Sequence, residues 1–166
     1  KRPAKKQMRH IRRNERGQLT IGGHIAVDLA GRFGTPLYVY SGDGLVAHYA
    51  AFASAVSQLD CVVHYAVKAN SSLGVLGLLA QQGVGADIVS GGEMKRALIA
   101  GIAPDKIVFS GVGKTDDEIR AALQAGIAQI NAESATELHH LSQIAAETEQ
   151  QAPVALRVNV NVDPGS

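Results

Sequence analysis

From residue 19 onward, short apolar runs alternate with longer stretches whose apolar positions recur every three or four residues. The first pattern predicts strands and the second amphipathic helices. Residues 19–27 alternate weakly and predict a strand. Residues 36–40 (Pro-Leu-Tyr-Val-Tyr) read as extended, from their β-branched and aromatic content and the proline at their edge. Ser41 is the predicted N-cap of a helix running to about Leu59, with Leu45, Tyr49, Phe52 and Val56 on one face.

A regular unit then sets in. Strands are predicted to begin near Val62, Ala86, Ile107, Ala128 and Val154, separated by 24, 21, 21 and 26 residues, with a helix in each gap. Thr115-x-x-Glu118 and Ser134-x-x-Glu137 have the form of capping boxes, in which two side chains satisfy free backbone donors reciprocally. Gly83, Gly101 and Gly126 fall where helices should stop. Strand and helix alternating at this pitch give right-handed βαβ units and a parallel sheet. An open doubly wound sheet and part of a (β/α)8 barrel both satisfy that spacing. A strand over 61–68 leans towards the barrel. It puts Val63, Tyr65 and Val67 on one bulky apolar face, and Val62, His64, Ala66 and Lys68 on the other, as in a barrel interior with its site at the C-terminal strand ends.

Composition narrows the class. The chain has 166 residues, 46% hydrophobic and 19% charged, enough to bury a core and unlike a disordered tail or a charged coiled coil. Cys61 alone excludes a disulfide framework and a cysteine zinc site, and fits a reducing, cytoplasmic compartment. No apolar run is long enough to span a bilayer, and no signal peptide is evident, so no membrane partner is expected.

Charge is unevenly spread. Lys1, Arg2, Lys5, Lys6, Arg9, Arg12, Arg13 and Arg16 face only Glu15, so the first 16 residues carry about +7 and the other 150 about −6. Without an aromatic residue to stack on bases, this run reads as a solvated arm over 1–18 and not as a nucleic-acid contact. A fused upstream domain joined through the arm is a further reading. Residues 19–40 would hold N-terminal strands leading into the barrel, and 41–166 its first part.

Several motifs fail on inspection. Gly111-Val112-Gly113-Lys114-Thr115 resembles the tail of a phosphate-binding loop, but Val108 stands where that loop needs its first glycine. Gly83-Val84-Gly85 opens a dinucleotide fingerprint, yet Ile88 takes the third glycine position and the segment precedes a strand. His139 and His140, with Glu137, would point about 100° apart on a helix, so a surface role is expected and no metal site. Cys61 is expected to be a buried small hydrophobe and His64 a satisfied core residue. Lys68 stands apart as the only lysine or arginine between Arg32 and Lys95. At the end of a strand suited to burial, its ammonium must be neutral, paired or covalently used. A lysine that reaches the rim, or pairs with Asp87, is the structural alternative.

Tyr65-Ala66-Val67-Lys68-Ala69-Asn70 resembles the lysine motif of the fold-type III pyridoxal-phosphate-dependent amino-acid decarboxylases. Residues 85–93, 106–115, 131–134 and 156–159 match further motifs of that family in order, so the similarity covers roughly residues 34 to 166. The resemblance implies a partial (β/α)8 barrel of about five βα units, with N-terminal strands that belong to a β domain in the complete protein. It implies pyridoxal 5'-phosphate as cofactor, held covalently by Lys68, the catalytic residue. Asp87 and Glu93 match acidic positions on the cofactor side, and Arg157 matches an arginine near the cofactor.

The implied reaction is decarboxylation of meso-diaminopimelate to L-lysine and carbon dioxide by a homodimer. A decarboxylase of the same fold acting on ornithine, arginine or carboxynorspermidine, and a non-catalytic barrel relative that binds a protein partner, are the alternatives. A complete barrel takes about 250 residues, so the chain is expected to be a segment of a longer polypeptide.

Overall fold

Gly22 and Gly23, at φ 56° and 87°, make a two-residue turn in the left-handed region, and this turn breaks the strand expected over 19–27 in two. In the computed structural model, which describes residues 10–160 and 162, β2 (Leu19–Ile21) turns through these glycines into β3 (His24–Ile25), pairing Ile21 with His24. The helix α1 (Ala26–Phe33) follows at once, so Val27 is helical. A third strand, β1 (Ile11–Arg13), pairs antiparallel with β2 and carries Arg12 and Arg13 of the basic arm into the sheet. Lys1, Arg2, Lys5, Lys6 and Arg9 lie outside the described residues.

These elements and α2 (Gly42–Ala55) belong to the first of two compact units, residues 1–61. Ser41 caps α2 as expected, its Oγ accepting from the Gly44 N–H at 3.2 Å. The helix stops at Ala55, four residues early, and Phe52 on its expected apolar face is 57% exposed. Residues 36–40 are not in a strand. Cys61 is exposed, correcting the expectation of a buried residue. It sits in the irregular connection after α2, because the next strand does not begin until His64.

The second unit, residues 62–166, carries the regular alternation. Five parallel strands stand in sequence order: β4 (His64–Ala66), β5 (Gly85–Ile88), β6 (Ile107–Phe109), β7 (Gln129–Ala132) and β8 (Val154–Leu156). Between them run α3 (Leu73–Ala80), α4 (Gly91–Ile99), α5 (Asp116–Ala125) and α6 (Ala135–Glu147). Gly83, Gly101 and Gly126 follow α3, α4 and α5 as expected, all at positive φ.

The topology decides between the two architectures. A doubly wound sheet reverses its strand order and takes helices on both faces, whereas a barrel wall keeps sequence order with helices outside. Here alternate strand residues Ala86, Ile88, Ile107, Phe109, Ile130 and Ala132 are buried in one cluster with residues of the four helices. The opposite face carries half-buried Asp87, Ser110 and Asn131. This is barrel geometry.

Gly85 lets β4 and β5 approach. A Cβ at this position would lie 2.5 Å from His64 Cδ2 and 2.5 Å from the Lys106 carbonyl oxygen. The His64 ring therefore lies half-buried against the β5 backbone.

Candidate active site

The face of the sheet turned away from the helices carries a string of hydrogen bonds across three strands. Gln129 Nε2 donates to Asn131 Oδ1 at 2.7 Å on β7. Asn131 Nδ2 donates to Ser110 Oγ at 3.0 Å, just beyond β6. Ser110 Oγ in turn donates to Asp87 Oδ1 at 2.6 Å on β5. The string orients each amide and hydroxyl, since every group passes its proton in the same direction.

Lys68 lies two residues beyond Ala66, the register partner of Asp87 at the end of this string. The strand expected over 61–68 is shorter, and after Ala66, which pairs with Asp87, the chain enters a single 3-10 turn over Val67–Ala69. That turn buries Val67 completely and leaves Lys68 exposed. The lysine therefore sits just past the strand end, not on it, and the described residues do not bury it. None of the ion pairs among the described residues involves Lys68, so the pairing with Asp87 allowed by the sequence is not made.

Glutamates fix the loops at the same end of the sheet. Each of α4, α5 and α6 starts with a Ser or Thr cap and a glutamate three residues on. Thr115 and Glu118 form the full reciprocal box. Glu118 also accepts from the Gly91 N–H at 2.6 Å, joining the start of α5 to the start of α4. The two backbone donors, Thr115 first and Gly91 second, outweigh burial and hold the Glu118 carboxyl below the usual carboxylate range.

The second predicted box closes only halfway. Ser134 accepts from the Glu137 N–H, but the Glu137 carboxylate takes the Glu133 N–H and Lys114 instead. Glu93 behaves like Glu137, accepting from the Val89 N–H at 2.8 Å four residues back. Its carboxylate thus serves the β5–α4 loop.

Lys114, from the segment that resembled a phosphate loop, has a side chain with 0% exposure. Its Nζ donates to the Gly111 carbonyl (2.6 Å), the Asn131 carbonyl (2.8 Å) and Glu137 Oε1 (2.8 Å). It also lies over the Phe109 ring, 5.4 Å from the centroid. Three bonds use all three ammonium protons, so none is left for a phosphate. Glu133, whose side chain is 6% exposed, accepts from the Gly111 N–H at 2.9 Å and from Arg157 Nη1 at 2.8 Å. Burial pushes its carboxyl up, but Gly111, Arg157 and Lys114 together hold it below the ordinary range.

Of the four residues singled out from the sequence, Lys68 and Asp87 stand at the ends of neighbouring strands. Arg157 follows β8, the opposite edge of the five, and Glu93 is engaged as a loop tie. His139 and His140 are exposed on α6. Ser110, Asn131, Glu133 and Lys114 received no role from the sequence. Two signals were available: all four fall in the segments 106–115 and 131–134 that resemble family motifs, and each lies between a strand end and a helix cap or at the strand end itself.

Sequential parallel strands, helices packed on one face and a polar face leading to an exposed amine at the carboxyl ends define an α/β-barrel protein, a fold that carries its sites at that rim. Residues 43–166 match the pyridoxal binding domain of the pyridoxal-dependent decarboxylases, and the chain belongs to that family. Among its relatives, the diaminopimelate decarboxylase of Pseudomonas aeruginosa is 54% identical over 135 residues, 81% of this chain and 32% of that protein. The Vibrio cholerae enzyme of the same name is 49% identical over 156 residues, 94% of this chain and 37% of that protein. A crystal structure of diaminopimelate decarboxylase from M. jannaschii in complex with L-lysine matches with a TM-score of 0.89 at 37% identity, covering 95% of this chain and 37% of that one. The chain spans about a third of the length of the curated relatives it matches.

Proposed function

We propose that the whole protein is a pyridoxal-phosphate-dependent decarboxylase that converts meso-diaminopimelate to L-lysine and carbon dioxide. The observation that carries this reading is the position of Lys68 beside the Asp87–Ser110–Asn131 string, at the carboxyl rim of a barrel wall. The names of its relatives and the L-lysine bound in one of them favour diaminopimelate over ornithine, arginine or carboxynorspermidine.

The residues present fit an aldehyde cofactor. Lys68 offers an exposed primary amine outside every ion pair among the described residues, and a primary amine is the group that bonds an aldehyde carbon. Lys68 is the residue that would hold pyridoxal phosphate, with Asp87 adjacent and Arg157 supplying positive charge at the far edge of the wall. When bound, the cofactor supplies an electron sink for the pair left behind by carbon dioxide.

The protein's own groups then have distinct tasks. Lys68 must release a proton to bond as a free amine. Asp87 holds the Ser110 hydroxyl proton, which fixes the Ser110 oxygen as acceptor for Asn131. Arg157 bonds Glu133 through Nη1 and its side chain is 66% exposed, so among the described residues its other donors can anchor an anionic group. Glu93 holds the β5–α4 loop closed against its own backbone and contributes to the site through that loop. The proposal further takes the whole protein to be a cytoplasmic homodimer, a single cysteine fitting a reducing compartment. No helix among the described residues is long and apolar enough to cross a membrane.

The test is turnover by the whole protein reconstituted with pyridoxal phosphate, followed by borohydride reduction and peptide mapping. Release of carbon dioxide from meso-diaminopimelate well above that from ornithine or arginine, with a pyridoxyl adduct on Lys68, is expected. An unmodified Lys68, or preference for another amino acid, overturns the assignment. Light scattering tests the dimer.

A further inference from the structure

Four residues close a hydrogen-bonded ring at the rim. Lys114 Nζ donates to the Gly111 carbonyl, and the Gly111 N–H donates to Glu133 Oε1. The Glu133 N–H donates to Glu137 Oε2, and Glu137 Oε1 accepts from Lys114 Nζ, completing the circuit. The ring joins the end of β6, the end of β7 and the first turn of α6. One acceptor of the ring points outward. It is Glu133 Oε2, and it holds Arg157 Nη1 at 2.8 Å.

We propose that Lys114 is a positioning residue, which orients the Arg157 guanidinium for the reaction through Glu137 and Glu133 without touching substrate or cofactor. A cation stands at each end of the path and two carboxylates lie between: the Lys114 ammonium bonds Glu137, Glu137 accepts from the Glu133 backbone N–H, and the Glu133 carboxylate holds the guanidinium. Two carboxylates in one ring repel each other, and a cation beside them offsets that repulsion. Lys114 is that cation, and its side chain is fully enclosed, so no solvent ion replaces it. The third bond of Lys114, to the Asn131 carbonyl, fixes the ring to the strand that carries the Asn131–Ser110–Asp87 string.

Alternative uses of this lysine do not fit. Its protons are all engaged, which removes it as a phosphate ligand, and its burial removes it as a surface charge. A plain structural strut would explain the burial but not the closed circuit with a single outward acceptor aimed at an exposed arginine.

The proposal rests on the decarboxylase reading for its catalytic consequence, so two measurements on the whole protein are paired. In hydrogen–deuterium exchange of Lys114→Met without added cofactor, peptides containing Gly111, Glu133 and Arg157 should exchange about tenfold faster, while α3 peptides keep their rates. In turnover, Lys114→Met and Arg157→Lys should each lower kcat/KM about tenfold, mainly through KM, and the double variant should lose about tenfold, not a hundredfold.

Unchanged exchange at Arg157, or acceleration spread evenly over the chain, overturns the ring as a positioning device. Multiplicative losses in the double variant overturn the path through Arg157. A wild-type protein that decarboxylates no amino acid sinks the decarboxylase reading instead, and the exchange result still decides the ring.

Discussion

Ser110 Oγ and Asp87 Oδ1 lie 2.6 Å apart, a hydroxyl-to-carboxylate bond that joins the carboxyl ends of β5 and β6. This length is that of a charge-assisted bond, about twice as strong as one between neutral groups. Because Ser110 also accepts from Asn131, one hydroxyl couples three strands at the level where Lys68 begins.

Ser110→Ala removes both bonds and leaves the half-buried Asp87 and Asn131 without a shared partner. A loss of about 1–3 kcal/mol in unfolding free energy is expected, read from urea denaturation of the whole protein without cofactor. Ser110→Thr, which keeps the hydroxyl, should recover most of it. Equal losses in the two variants would show that the bond contributes nothing.

Lys68→Ala should separate chemistry from folding. The side chain is exposed and outside the ion pairs, so stability without cofactor should stay within about 0.5 kcal/mol of wild type. Borohydride-trapped cofactor and turnover should both disappear. A large drop in the urea midpoint would mean that Lys68 supports the fold.

Gly85→Ala places a methyl group against the His64 ring and the Lys106 carbonyl together. The ring can swing away but the backbone carbonyl cannot, so a cost of about 1–3 kcal/mol is expected. The double change Gly85→Ala with His64→Ala should restore only part of it, because the clash with the carbonyl persists. Full restoration, measured by thermal or urea unfolding, would assign the whole clash to histidine.

Glu118 links acidity to stability with a definite sign. Its carboxyl is held below the ordinary value of 4.5 in the fold, so the unfolded chain takes up a proton first as pH falls. Its stabilising contribution is complete above about pH 4.5 and is lost as pH drops through the lowered folded value. The difference in urea midpoint between wild type and Glu118→Gln should therefore be large at pH 7 and shrink towards pH 3. A difference that is constant with pH would contradict the assignment.

The fold was legible where backbone chemistry leaves marks in side-chain type. The strand starts at Ala86, Ile107 and Val154 fall within a residue of the observed strands, because apolar runs bounded by caps and glycines admit little else. Ser41 and Thr115 were readable as caps for the same reason. The Gly22–Gly23 turn was missed because a weakly alternating run hides a hairpin when its turn residues are taken as part of the strand. Cys61 was misplaced because composition does not say where pairing begins, and β4 begins three residues later.

The site was legible only in part. Lys68 stood out by isolation, but its place in a 3-10 turn depends on backbone geometry that alternation cannot encode. The half-closed second box shows the limit of motif reading. Ser134-x-x-Glu137 has the right letters, yet the glutamate turns to the Glu133 N–H, one residue before the cap, and to Lys114, 23 positions upstream. Lys114 is a neighbour in space alone, so no local pattern reveals it.

The two sides of the five parallel strands have been handed separate duties. Apolar side chains that hold the protein together point to the helices, and the polar string proposed to face substrate points the other way. A lineage can therefore rewrite Val108 or Gln129 to suit a different substrate while the packed interior goes on unaltered. Inventiveness and durability occupy alternating letters of the same strand.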